Sequence, residues 1–232
     1  MDSEMMVEQL FPYLITGNRA SARATAQQII ESGVTPETLT HEAYWPLLEM
    51  MNTLYRNDQL TSLAHHYATR LLRSMVDQAQ ALYTQNERRN RRVMLFCAET
   101  EADDLAAQIV ADLVEADGYE VFFGGGGVAW DEVMQEASEQ KPDVLLLFSS
   151  SGRDAPHIRV LIDTIREIGS CPDMQIVVGG GIFNRAEGLA EEIGADLWAT
   201  TPTELIAKLD QEPERRATPD QRTVGQQRAN AA

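Results

Sequence analysis

The side chains best suited by type to do chemistry are four histidines, His41, His65, His66 and His157, and one run of acids, Glu99, Glu101, Asp103 and Asp104. His65 and His66 are adjacent, so on a helix they point about 100° apart, one toward a ligand and the other toward solvent. A lone histidine is more often structural than a ligand, and His41 reads as a residue of a helix–helix junction. The acids sit at a strand end and a helix start, where they complement the helix dipole. A hard-metal site there is the weaker reading, because no second acid cluster accompanies it. Ser149-Ser150-Ser151-Gly152 can donate hydrogen bonds to a polar ligand or simply form a turn. Gly124–Gly127 lacks the lysine of a P-loop and the spacing of a dinucleotide fingerprint, so a flexible connector is the plainer reading. Val178-Gly179-Gly180-Gly181 leaves backbone open to a flat or extended ligand. No Ser–His–Asp spacing and no His/Cys zinc pattern emerges. The side chains therefore suit binding, and a protein that is not itself an enzyme is expected.

The elements that position these residues fall into two regions. Residues 1–86 show helical spacing and no strand-like alternation. Val7, Leu10, Leu14 and Ile15 open the chain, and Gly17-Asn18 stops one helix and caps the next. Ala22, Ala26, Ile29 and Ile30 form a second stripe, ended by Gly33. Thr35-Pro36-Glu37 is a helix start, with cap, proline and acid in order. Leu63, Tyr67, Leu71, Met75, Ala79 and Leu82 recur at three and four residues beyond a Thr61 or Ser62 cap. A four-helix bundle is expected.

Residues 87–92 are polar and basic and read as a hinge. From 93 to 211 strand and helix alternate. Strands are expected at Val93–Ala98, Glu120–Phe123, Asp143–Phe148, Gln175–Val178 and Ala195–Ala199. Helices are expected at Asp103–Ala116, Trp130–Glu139, His157–Ile168, Arg185–Glu192 and Thr203–Leu209. This is the pattern of an α/β fold, a five-stranded parallel doubly wound sheet of flavodoxin or Rossmann type. Such sheets bind ligands beyond the C-terminal strand ends, near the switch in strand order. The unusual loops lie at those ends, Glu99–Asp104, Gly124–Gly127, Ser149–Pro156 and Gly179–Asn184. Residues 212–232, rich in Gln, Arg, Asn and Ala, are expected to be disordered.

The 232 residues carry a formal charge of −17 and are 44% hydrophobic, enough for a real core. The charge is uneven, −3 over residues 1–90 and −15 over 91–211. Such acidity argues against direct binding to nucleic acid or a membrane surface, both polyanionic. Apolar runs such as Val144–Phe148 fall far short of the roughly 20 residues of a membrane span. The acidic start lacks the order of a signal peptide, and two cysteines make no disulfide framework, with Cys97 reading as a buried strand thiol. A soluble cytoplasmic protein is expected.

Bundle, hinge and five-strand unit together resemble the cobalamin-binding module found in methionine synthase, corrinoid methyl carriers and light-sensing cobalamin-dependent regulators. The resemblance covers about residues 8–210. Leu14-Ile15-Thr16-Gly17-Asn18 and Ile30-Glu31-Ser32-Gly33-Val34-Thr35-Pro36-Glu37 match its first helical hairpin. Gly118-Tyr119-Glu120-Val121, Lys141-Pro142-Asp143-Val144, Val178-Gly179-Gly180 and Gly194-Ala195-Asp196 follow in the module's order and spacing.

Two departures stand out. The module's cobalt-ligating loop reads Asp-x-His-x-x-Gly after the first strand, and here the aligned stretch is Glu101-Ala102-Asp103-Asp104-Leu105-Ala106. The position of the lower-ligand histidine is thus Asp103, and that of the glycine that makes room for the nucleotide tail is Ala106. A carboxylate ligates corrin cobalt poorly, so histidine ligation through this loop is excluded. The light-sensing regulators also carry Trp, nine residues, then Glu-His; here Tyr55, nine residues and His65-His66 stand in their place.

The resemblance implies a cobalamin-binding sensor that need not catalyse. His66 as metal ligand, His65 and Tyr55 would face the upper side of the corrin. Asp103, Asp104, Ala106, Ser149, Ser150, His157, Gly179 and Gly180 would lie about the lower loop and tail groove. Light or ligand exchange would change how bundle and sheet dock. With no output domain in the chain, a protein partner would read that change, a basic DNA-binding regulator fitting the acidic second region. A homo-oligomer is compatible with the sequence. The alternatives are a haem or bilin held at the same place, or a cofactor-free interaction scaffold, with a corrinoid methyl carrier ranked last.

Overall fold

The computed structural model describes residues 1–223, which form two compact units, Met1–Asn86 and Glu87 onward. In the first, the helices are α1 (Ser3–Ile15), α2 (Arg19–Glu31), α3 (Pro36–Leu39), α4 (Trp45–Arg56) and α5 (Ser62–Gln80), with a π-helical turn at Thr40–Tyr44 joining α3 to α4. Side chains of Asp2, Asn18, Thr35 and Thr61 each accept a hydrogen bond from a first-turn amide, which fixes where α1, α2, α3 and α5 begin. The π turn has a chemical cause. Pro46 has no N–H to give to the Glu42 carbonyl, so the regular ladder fails there. The hydroxyl of Ser3 donates to that carbonyl instead. Counting α3, the π turn and α4 as one bent rod gives the four-helix bundle. Its core contains Leu10, Leu14, Tyr44, Leu47, Met51, Leu71 and Met75.

The second unit holds β1 (Arg92–Cys97), α6 (Glu101–Ala116), β2 (Glu120–Gly126), α7 (Trp130–Gln140), β3 (Val144–Phe148), α8 (Ala155–Ile168), β4 (Gln175–Gly179), α9 (Gly181–Arg185), α10 (Leu189–Glu192), β5 (Leu197–Trp198) and α11 (Pro202–Gln211). The strands are all parallel in the order β2-β1-β3-β4-β5. Central strands β1, β3 and β4 are buried almost throughout, as parallel strands covered on both faces must be. On one face Phe96, Leu145, Leu147, Ile176 and Val178 pack with Val133 of α7 and Ile158, Leu161 and Ile162 of α8. The α/β doubly wound fold is as expected.

Three local expectations are corrected. The single helix expected at Arg185–Glu192 is two short ones, because Gly188 takes a left-handed φ of 77° between them. The basic stretch 87–92 is no loose hinge but part of the second unit. Arg89 pairs with Asp117 and Asp210, its amide donates to the Gly118 carbonyl, and Arg91 donates to the Leu209 carbonyl. The segment after Gln211, expected to be disordered, is placed as far as Thr223. Its polar residues do the holding. Arg222 binds Asp163 at 2.6 Å, Gln221 donates to the carbonyls of Glu191 and Ala195, and the Ala217 amide donates to Asp196. The rest of the expected tail, 224–232, lies outside the described residues. No helix among the described residues is long and apolar enough to cross a membrane.

Candidate functional site

The chain runs from β1 outward to β2 and then returns to place β3 on the other side of β1. Loops leaving β1 and β3 therefore part in opposite directions, and a crevice opens between them at their C-terminal ends. Its volume is about 410 Å³. Phe96, Trp130 and Phe148 give it aromatic walls, and Thr100, Ser149, Ser151, Asp154 and His157 line its polar side.

Two carboxylates hold the polar side together. Thr100 caps α6, accepting from the Asp103 amide at 3.0 Å, and its hydroxyl donates to Asp103 Oδ2 at 2.7 Å. Asp103 is the third helical residue, so the cap's hydroxyl serves both its amide and its carboxylate. Ser150 of the β3 loop lies near this carboxyl, and only 1% of Asp103 is exposed. Burial pushes its carboxyl above the usual aspartate range and the nearby Asp154 adds to this, while the Thr100 and Ser150 hydrogen bonds oppose it. Across the loop, Ser149 Oγ donates to Asp154 Oδ2 at 2.6 Å and accepts from the Ser151 amide at 3.1 Å. Asp103, Ser149 and Ser150, named from the sequence, are thus brought together. His157 is exposed on the first turn of α8 and lines the same crevice.

The other expected residues have different surroundings. Asp104 accepts from the Gly126 amide at 3.3 Å and so ties α6 to the end of β2. Ala106 is buried within α6. Gly180 has a φ of +103°, and a Cβ there would lie 2.3 Å from the Ser149 carbonyl oxygen. Its lack of a side chain is used by the β3 loop. A Cβ at Gly179 would meet the Phe148 ring at 3.3 Å. In the first unit Tyr55 and His65 stack, His65 is buried, and His66 is exposed. Among the described residues no group of three His, Cys, Asp or Glu side chains could hold a metal ion.

Sequence reasoning missed Thr100 and Asp154. Thr100 was recoverable, since Thr-x-x-Asp before an apolar run marks a helix start. Asp154 meets Ser149 only through the fold of the loop.

The donor set separates two parts of a corrinoid site. The crevice, aromatic on one side and hydroxyl-rich on the other, fits a flat aromatic group on a polar linker. The Asp103 carboxyl, buried and turned back onto the Thr100 hydroxyl, does not fit a metal ligand.

The B12 binding domain family matches residues 91–207, half of the chain. Trimethylamine corrinoid protein 2 of Methanosarcina acetivorans is 22% identical over 194 residues, 81% of this chain and 87% of that protein. Monomethylamine corrinoid protein 1 of the same organism is 20% identical over 213 residues, 88% of this chain and 95% of that one. Dimethylamine corrinoid protein 1 matches at 27% over 110 residues, so the match spans about half (51%) of its length. In three dimensions the monomethylamine corrinoid protein of Methanosarcina barkeri superposes with a TM-score of 0.77 at 17% identity, covering 90% of this chain and 98% of that one.

These relatives overturn the expected light-responsive sensor and transcriptional regulator, since they are corrinoid proteins of methylamine systems. The ranking that placed a corrinoid carrier last is reversed. Cobalamin is the cofactor, and the haem, bilin and cofactor-free alternatives are set aside. The chain belongs to the B12 binding domain family.

Proposed function

We propose that the chain carries a corrinoid and presents it to a protein partner, a methyltransferase, as a methyl carrier. The observation that carries this reading is the crevice of about 410 Å³ at the strand-order switch of a B12 binding domain. Near full-length similarity to two methylamine corrinoid proteins supports it. The basic DNA-binding regulator expected from the acidic charge has no counterpart among these relatives and is replaced by a methyltransferase.

A bound corrinoid supplies a cobalt centre that accepts and releases a methyl group. The residues of this chain hold and orient it. Phe96, Trp130 and Phe148 offer an apolar wall to an aromatic tail, and excluding water there favours binding. Ser149 and Ser151, fixed by Asp154 and by their own turn, offer hydrogen-bonding groups to the linker. Arg153 is a cationic side chain and His157 a ring hydrogen-bonding group, both available to a phosphate at the rim. On the first unit, exposed His66 is the residue we propose as a ligand to cobalt.

The test is retention. Purified chain mixed with hydroxocobalamin or methylcobalamin and gel-filtered should co-elute with about one corrinoid per chain. Ser151→Phe, which fills the crevice, should lower retention at least about tenfold. A corrinoid-free wild-type peak sinks the reading. So does methyl-loaded protein that no corrinoid-dependent methyltransferase can demethylate.

A further inference from the structure

Most hydroxyl protons around the crevice are already given to carboxylates of the protein. Thr100 lines the crevice, and its hydroxyl donates to Asp103 Oδ2 at 2.7 Å. Ser149 lines it too, and its hydroxyl donates to Asp154 Oδ2 at 2.6 Å. A hydroxyl has a single proton, so toward a ligand both of these can only accept. Ser151 is the third hydroxyl of the lining. It accepts from the Arg153 amide at 3.3 Å and, among the described residues, keeps its proton.

Asp154 adds a charged acceptor to this lining. It stands at the N-cap of α8, where an aspartate ordinarily accepts from a first-turn amide, yet it makes no such bond. One carboxylate oxygen takes the Ser149 hydroxyl, and the other takes no hydrogen bond among the described residues. A ligand that seats an apolar or acceptor-only edge here strips water from a carboxylate and returns nothing, which weakens binding. A ligand edge that donates replaces the lost hydrogen bond.

We propose that Asp154 is a specificity-determining residue, and that the crevice selects, among corrinoids, one whose lower base donates hydrogen bonds. The proposal rests on the corrinoid-carrying reading and deepens it. Dimethylbenzimidazole, the base of cobalamin, has methyl groups on its outer edge and a ring nitrogen that only accepts. An adenine-type base carries an exocyclic amine beside a ring nitrogen. The amine answers the acceptors of Asp154 and Ser149, and the ring nitrogen answers the Ser151 hydroxyl. Cobalamin is held, and its adenine-based counterpart is held more tightly.

Equilibrium dialysis of the full chain tests this with cobalamin, its adenine-based counterpart, and cobinamide, which has no lower base. Wild type should bind the adenine form at least about tenfold more tightly than cobalamin, and cobinamide more weakly than either. Asp154→Asn keeps an oxygen for the Ser149 hydroxyl but replaces the other carboxylate oxygen with an N–H donor. Its preference should therefore shrink severalfold or invert.

Equal binding of the two complete corrinoids by wild type, or tighter binding of cobalamin, overturns the proposal. Cobinamide bound as tightly as the adenine form does the same, since the base would then lie elsewhere. So does a preference that survives intact in Asp154→Asn, because a residue that merely holds the serine loop would leave selectivity unmoved. If that variant does not fold, the wild-type ratio decides. If wild type retains no corrinoid at all, the corrinoid-carrying reading falls and this proposal with it. Retention without selectivity leaves that reading standing and removes this proposal alone.

Discussion

Tyr55 and His65 stack with ring centroids 4.3 Å apart and planes 15° from parallel, and the same imidazole places Nε2 2.9 Å from Asn52 Oδ1. His65 is therefore a packed bridge between α4 and α5. His66, one residue on, points to solvent. His65→Ala should destabilise the chain by about 1–3 kcal/mol, through lost stacking and an abandoned hydrogen bond. His66→Ala should stay within about 0.5 kcal/mol of wild type. Urea unfolding of the two variants separates them, and equal losses would contradict the assignment.

Gly180→Ala forces a side chain onto a φ of +103° and a Cβ to 2.3 Å from the Ser149 carbonyl oxygen. Backbone strain and steric overlap add, so a loss of about 2–4 kcal/mol is expected. Retention of corrinoid should fall with it, because Ser149 lines the crevice. A variant with wild-type thermal stability would show that the β3 and β4 loops do not meet this closely.

Asp103 makes stability pH-dependent in a stated direction. Its folded-state affinity for a proton is raised, chiefly by burial. Its favourable contribution is therefore fully present below the ordinary aspartate value and is lost as pH rises through the raised one. Asp103→Asn cannot ionise. The stability of the variant relative to wild type should therefore increase on going from acid to neutral pH. A flat difference across that range would count against a raised value.

Glu204 behaves in the opposite sense. Burial pushes its carboxyl upward, but hydrogen bonds from Lys208 and Thr200 outweigh this and hold it at about 2. Its contribution is present above the unfolded-state value and disappears as pH falls toward 2. The group is partly exposed, so solvent screening keeps the effect small. Glu204→Gln should cost under about 1 kcal/mol at pH 7 and nothing near pH 2. A penalty that persists in acid would point to packing instead.

Truncation after Gln211 removes the segment that binds Asp196, Asp163 and the carbonyls of Glu191 and Ala195. It also removes Arg215, whose guanidinium lies 4.7 Å from the Trp198 ring centroid, and uncovers Gln175, whose amide donates to the carbonyls of Glu212 and Arg215. A loss of about 1–3 kcal/mol is expected by thermal unfolding. No change would return the segment to the status of a loose tail.

Periodicity alone settled the class of fold. Buried parallel strands must be apolar along their whole length and bundle helices must be apolar on one stripe, so Val144–Phe148 and the Leu71–Met75 spacing could be read without coordinates. The caps at Thr35 and Thr61 were equally local, as each acts within three residues. The sequence also located the strand-end loops and showed that a carboxylate replaces the loop histidine. Only the tertiary structure decided what that carboxylate does. Asp103 is buried near Ser150, 47 positions on in sequence, because strand order sets β1 beside β3. The same holds for residues 212–223, whose composition has no apolar period because hydrogen bonds and an ion pair to residues far back in the chain hold them. Local patterns report what a residue does to its own element; a side chain that serves a distant loop leaves no period behind.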